Sequence, residues 1–189
     1  MNLLGLGLCG ADHDEDALSV REAELSMLRR LGAGERYMLA VQSNLAITYG
    51  VLGRLEDALR LRRDVYSGHL KLNGEEHVDS LRATLNYANS LVLLKRFAEP
   101  KSLLRKTIPM ARRVLGASHE YTLKIRWLYG QVLYKDAAAT LDDLREAVTT
   151  LEDTGRIARR VLGGAHPITG SIENNLKEVR SKLAAIDAP

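Results

Sequence analysis

The 189-residue sequence predicts an all-α chain, built as an array of antiparallel helix pairs with about eight to nine helices. Three observations carry this. First, Gly74-Glu75-Glu76-His77 returns as Gly116-Ala117-Ser118-His119 after 42 residues and as Gly163-Gly164-Ala165-His166 after a further 47, while Gly32 lies one period upstream of Gly74 with Glu35 in place of the histidine. Second, another marker keeps the same register, including the same five-residue insertion: Asn44-Leu45-Ala46, Asn86-Tyr87-Ala88, Leu128-Tyr129-Gly130 and Asn175-Leu176-Lys177. A shared period of this length is the signature of a repeat architecture. Third, Ala, Leu, Arg and Glu dominate, with only 4 Pro and a single Phe, which favours helix over sheet.

Each period divides into two helical patterns. The first runs from about Arg36 to Leu52, where Leu45, Ala46, Tyr49 and Leu52 fall on one helix face. Gly53-Arg54 breaks it, since glycine takes the left-handed conformation that ends a helix. The second runs from about Glu56 to Leu72 with Ala58, Leu59, Leu61 and Val65 inward; Gly74 ends it, and the next helix starts near His77. Small residues mark the contact between partners: Ala46, Ala88 and Gly130 in first helices, and Ala17, Ala58, Pro100 and Ala147 in second helices. They let axes approach at the short end of the usual ~8–10 Å range. Pro100 is placed in a first turn, where a missing N–H costs little. Gly68, Pro109 and Gly155 stand at nearly one depth in three second helices and predict bends there.

The boundaries follow: a partial repeat 1–32, repeats 33–74 and 75–116, an expanded repeat 117–163, and a cap 164–189, all in one domain. Asn2-Leu3 and Asp16-Ala17-Leu18 match Asn44-Leu45 and Asp57-Ala58-Leu59, so the chain is expected to open inside a first helix. Lys177 and Arg180 replace the small residue and the tyrosine of the repeat, so 167–186 is expected to be the polar capping helix that such arrays require. The expansion at 135–143 reads as a longer loop or an extra helical turn, with Thr140 and Asp143 as a capping box.

The spacing Leu45-Ala46-x-x-Tyr49, then Gly53, then Ala58 resembles the tetratricopeptide repeat. The 42-residue period and Gly-x-x-His turn resemble the kinesin-light-chain type of that repeat, most closely at Gly163-Gly164-Ala165-His166-Pro167-Ile168-Thr169 and at Asn44-Leu45-Ala46 with Gly53-Arg54-Leu55-Glu56-Asp57-Ala58. The resemblance covers almost the whole chain. It implies a right-handed α-α superhelix whose first helices line a concave face, and a role in protein–protein interaction as an adaptor or scaffold.

Composition limits the alternatives. The net charge of +3 is spread through acidic residues, and Arg29, Arg30, Arg112, Arg113, Arg159 and Arg160 sit late in second helices, where cations complement the helix dipole. No nucleic-acid partner is expected. No stretch approaches the roughly 20 apolar residues of a membrane span, and the short apolar start, without Lys or Arg and followed by Asp12 to Asp16, does not read as a secretory segment. A single cysteine, Cys9, fits a reducing, cytoplasmic setting.

No catalytic constellation is visible: there is no phosphate loop and no nucleophile elbow, and Cys9 has no identifiable base. The reading is a non-enzyme without cofactor or metal. His77, His119 and His166 occupy equivalent turns, too far apart in a stacked array for ligands that must lie ~2 Å from one zinc ion. Their expected work is local, bonding free backbone groups at helix ends. His13 among Asp12, Asp14, Glu15 and Asp16 lacks the ligand pattern and glycine of a calcium loop.

Side chains three or four apart on a helix project together. Projecting the repeat register gives Ala40, Asn44 and Ile47; Arg82, Asn86 and Asn89; Lys124, Leu128 and Gln131; and Ser171, Asn175 and Glu178. Amides both donate to and accept from a peptide backbone, and two cations favour a carboxylate. The expected peptide-binding residues are Asn44, Arg82, Asn86, Asn89, Lys124, Gln131 and Asn175, with Tyr37, Tyr121 and Tyr134 as apolar edges and Trp127 as core or groove shoulder. In related repeats, the positions of Asn44, Asn86, Arg82 and Lys124 contact peptides, and the resemblance implies the same use here. The alternative for the asparagines is bonding between neighbouring helices. The expected partner is a protein with an extended acidic segment, bound by a monomer or weak homodimer. A second reading is a self-associating scaffold or spacer that pairs through Leu3, Leu4, Leu6 and Leu8.

Overall fold

A computed structural model describes residues 14–187. Eight α-helices and no strands are found among them, in the order α1 Asp14–Arg30, α2 Glu35–Val51, α3 Leu55–Asn73, α4 Val78–Leu93, α5 Ala98–Leu115, α6 Glu120–Lys135, α7 Leu141–Leu162 and α8 Pro167–Asp187. The expected helix bounds therefore hold to within a residue or two. The readings placed on Asn2, the leucines up to Leu8, Cys9, Asp12 and His13 lie outside the described residues. The chain divides into two compact units, Met1–Glu75 and Glu76–Pro189.

In the first unit α1 packs on α2 and α2 on α3. Short connections force each neighbour to run antiparallel to the last. Leu18, Leu25, Val41, Leu45, Ala46, Tyr49, Ala58 and Leu61 form its core. Gly53, at φ 73°, ends α2, and the Arg54 N–H returns to the Tyr49 carbonyl at 2.8 Å, which closes a Schellman turn. One period later the same turn falls on Lys95, at φ 58°, with the Arg96 N–H on the Leu91 carbonyl at 2.9 Å. Lysine holds a left-handed conformation there that costs a Cβ-bearing residue roughly 1–2 kcal/mol.

The second unit holds α4 to α8 around a core of Leu81, Leu104, Leu123, Ile125, Leu133, Leu151, Ile172 and Val179, among others. Its central helix is α6, buried at ten of its positions because helices pack around it. The Gly-x-x-His turns work as two linked devices. Gly116 and Gly163 cap α5 and α7 at φ 90° and 88° with ψ 158° and 160°, and Gly74 closes α3 of the first unit at φ 76° and ψ 175°. That region of backbone space is essentially reserved for glycine. Three residues on, the histidine ring starts the next helix. His77 Nδ1 accepts from the Asp79 N–H at 3.2 Å, His119 Nδ1 from the Tyr121 N–H at 3.1 Å, and His166 Nδ1 from the Ile168 N–H at 3.2 Å. Each imidazole thus satisfies one of the orphan donors of a helix start.

The small-residue contacts are tight. Ala17, Ala46, Ala88 and Ala147 have no exposed surface, and Ala58 and Pro100 are buried. A Cβ at Gly130 would meet Leu151 Cδ2 at 2.7 Å, and one at Gly68 would meet Leu39 Cδ2 at 2.5 Å. α3, α5 and α7 run unbroken through Gly68, Pro109 and Gly155; Gly68 is the place where Leu39 seats against its helix.

The five-residue expansion splits in two. Helix α7 has 22 residues against 18 in α5, one extra turn, and the connection before it, 136–140 instead of 94–97, gains the remaining residue. The capping box forms in full, with the Asp143 N–H on Thr140 Oγ1 at 3.1 Å and the Thr140 N–H on Asp143 Oδ2 at 3.2 Å. Helix α8 closes the unit with Lys177 and Arg180 outward, and Arg180 Nη2 bonds Glu152 Oε1 at 2.5 Å.

Candidate functional site

Helices α4 and α6 are the first helices of successive repeats, and they pack against each other. Positions 82, 85, 86 and 89 on α4, and 121, 124, 127, 128 and 131 on α6, follow the three- and four-residue spacing that places side chains on one helix face. Those nine residues, Arg82, Leu85, Asn86, Asn89, Tyr121, Lys124, Trp127, Leu128 and Gln131, line one groove of about 530 Å³. Arg82 and Lys124 are the two charged members of that lining. Leu85 and Leu128 supply an apolar floor, Trp127 adds an apolar side, and Asn86, Asn89 and Gln131 supply amides.

Both cations have a carboxylate one turn toward the helix start. Arg82 Nη2 lies 2.9 Å from Asp79 Oδ1, with the arginine side chain 48% exposed. Lys124 Nζ lies 2.5 Å from Glu120 Oε1, with the lysine 34% exposed. The Lys124 ammonium holds the Glu120 carboxyl below its ordinary range, and His166 and His119 add smaller effects in the same direction. Asp79 and Glu120 also sit in first turns, where negative charge is favoured by the helix dipole. Gln131 Oε1 accepts from Lys135 Nζ at 3.0 Å, which leaves its NH₂ directed elsewhere.

Five of the seven expected residues, Arg82, Asn86, Asn89, Lys124 and Gln131, thus share one groove. The other two are placed differently. Asn44 is half-buried on α2 in the first unit, where its carbonyl accepts from Arg21 Nη1 at 2.5 Å and from Thr48 Oγ1 at 3.3 Å. Asn175 on α8 accepts the Trp127 indole N–H at 2.6 Å, which is the helix-to-helix bonding weighed as the alternative for these asparagines. Trp127 is a groove shoulder, half-buried and fixed by that bond. Two expected edges do not form here. Tyr134 is only 1% exposed, with its hydroxyl donating to Glu178 Oε2 at 2.8 Å, so the pair ties α6 to α8 instead. Tyr37 lies in the first unit and bonds Glu24 Oε1 at 3.3 Å. Leu85 joins the lining although the register projection passed over it; its spacing of three from Arg82 was the signal.

Two further hollows are shallower in chemistry. One of about 500 Å³ lies between α2 and α3 beside Leu39 and Gly68. Another, of about 370 Å³, lies between α7 and α8, where Arg159 and Glu173 pair across it. Among the described residues, no group of three or more His, Cys, Asp or Glu side chains is placed to hold a metal ion. No helix among them is long and apolar enough to cross a membrane.

Comparison with known proteins matches part of the chain to one repeat family. Residues 38–79 and 80–121 match the model of the tetratricopeptide repeat, as two consecutive copies of the 42-residue period. Among solved structures, a singly substituted form of a Podosopora anserina protein, described as a kinesin light chain with nearly identical TPR-like repeats, is similar over 98% of this chain and 92% of its own, with 20% identity and a TM-score of 0.77. The same protein without the substitution is similar over 98% and 92%, with 20% identity and a TM-score of 0.75. BtubC (BKLC) from P. vanneervenii is similar over 93% of this chain and 75% of its own, with 14% identity and a TM-score of 0.59. At these identities the likeness is one of fold. Comparison with curated proteins yields no match.

Proposed function

We propose that the second unit of this chain, in which one of the two copies matching the tetratricopeptide repeat lies, binds an extended, acidic segment of a partner protein in the groove between α4 and α6. The fold is an interaction scaffold in general; the finer assignment rests on the groove. The observation that carries it is the lining itself, in which Arg82 and Lys124 flank an apolar floor and exposed amides of Asn86 and Asn89. An extended chain offers a row of backbone N–H and C=O groups, and amide side chains can serve both. Arginine and lysine then select carboxylates by charge-assisted hydrogen bonds. The proposed setting is the cytoplasm, on the strength of a single cysteine in the sequence, and the proposed state is a monomer or weak homodimer.

The test is fluorescence polarisation with labelled peptides of matched length, acidic, neutral and basic, against wild type and an Arg82→Glu/Lys124→Glu variant. The proposal expects the acidic peptide to bind best, to weaken as salt rises, and to lose at least tenfold in affinity with the variant. Equal affinity for all three peptides, or an unchanged Kd in the variant, contradicts it.

A further inference from the structure

Resting on the groove reading above, we infer that Asp79 and Glu120 are built-in competitors for the groove's cations, which a ligand's carboxylates must displace, and that these two residues set the affinity and charge selectivity of the site.

Each cation of the groove is held by one carboxylate from its own helix, three residues back for Arg82 and four for Lys124. Neither carboxylate belongs to the groove lining. Each engages one donor of its cation with an acceptor of the same kind a ligand would bring. The two sites are alike although they lie on different helices and use different residue types: arginine with aspartate, lysine with glutamate. In both, the carboxylate stands in a first helical turn, where the backbone favours it whether or not the cation stays. The pairs are solvent-exposed and intrahelical, a class of ion pair that contributes little to stability, so a cation turns to a ligand at small cost. The groove is thereby masked: its two positive charges stand beside two negative ones until a stronger, multidentate set of carboxylates arrives. Weakly acidic segments fail to displace the internal pair, and segments with adjacent carboxylates succeed.

The test uses a fluorescein-labelled deca-glutamate peptide as probe against wild type, Asp79→Asn/Glu120→Gln, and that pair combined with Arg82→Gln/Lys124→Gln. Circular dichroism melting checks that each variant is folded, and Asp79→Ser/Glu120→Ser serves as a second unmasked form. Unmasking is expected to tighten binding about three- to tenfold, to steepen the fall of affinity with salt, and to raise affinity for a peptide with a single glutamate proportionately more. Neutralising the cations as well is expected to abolish the gain. Binding to wild type that is unchanged or weakened by both unmasked forms overturns the inference and leaves the groove reading standing. A gain that survives loss of Arg82 and Lys124 also overturns it, as a general charge effect. No binding by any form overturns the groove reading and the inference with it.

Discussion

The indole Nε1 of Trp127, a groove residue on α6, donates to Asn175 Oδ1 on α8 at 2.6 Å. One wall of the site is therefore positioned by a helix that contributes nothing to its lining. Asn175→Ala leaves the indole N–H to water. It should cost about 1 kcal/mol, the net worth of an ordinary hydrogen bond. Because Trp127 is the sole tryptophan, its emission should also move to longer wavelength. Denaturant unfolding and steady-state fluorescence read both effects; emission that stays put would show that the bond does not hold the ring.

Gly130 is the one first-helix contact residue in the second unit that lacks a Cβ, and the added atom would lie 2.7 Å from Leu151 Cδ2 and 2.8 Å from its Cγ. Leu151 is fully buried and has nowhere to retreat. Gly130→Ala gains about 1 kcal/mol of helix propensity and loses more to overpacking, typically ~1–3 kcal/mol. The expected net is a destabilisation of about 1 kcal/mol by urea titration. A more stable variant would mean that α6 and α7 are less closely packed than described.

Lys95 carries the left-handed turn that Gly53 carries one period earlier, at φ 58° and 73°. Lys95→Gly relieves that conformation at the expense of a more flexible unfolded chain. A gain of about 0.5–1 kcal/mol is expected, seen as a higher thermal midpoint. Loss of stability would contradict the assigned backbone geometry.

Asp143 links two structures: it completes the capping box of α7 and receives Lys101 Nζ from α5 at 2.7 Å. The Lys101 bond is the largest influence holding its carboxyl below the ordinary range; hydrogen bonds from Thr140 add to it and burial opposes it. A depressed folded-state value means that the charged form stabilises the fold. Its contribution is full above the ordinary aspartate value of about 3.9 and disappears as pH falls below that, through the folded value. Asp143→Ala should cost about 1–2 kcal/mol near neutrality, mainly as a lost cap. It should cost progressively less as the pH drops below about 4. A difference between variant and wild type that does not shrink in acid would remove the carboxylate from the explanation.

Much of this was readable from residues alone, for physical reasons. The period was legible because Gly74, Gly116 and Gly163 adopt a conformation closed to other residues, so the turn cannot drift in sequence. The local role of the three histidines was legible because their spacing ruled out a shared metal, and each ring now caps a helix. Thr140 and Asp143 announced the start of α7, although how the insertion divides between loop and helix depended on which residues pack. Five of the expected residues fell together in one groove because two helices with a common register lie side by side. The misplacement of Tyr134 came from reading an aromatic residue near a helix end as an edge; α6 is buried on nearly all sides, so that ring had no surface to reach. Asn44 shares the register of Asn86, but register does not decide which unit a residue belongs to. The pairing of Arg82 with Asp79 and Lys124 with Glu120 was encoded in three- and four-residue spacings, and reading the cations alone hid it.

The most direct measurement is a two-dimensional ¹H–¹⁵N spectrum of the protein titrated with an acidic peptide, following the single indole N–H of Trp127 and the side-chain amides of Asn86, Asn89 and Gln131. The account predicts that these signals shift together and saturate with one Kd, and that Arg82→Glu abolishes the shifts. Shifts confined to residues outside α4 and α6, or none at the indole, would contradict the assignment of this groove as the binding site.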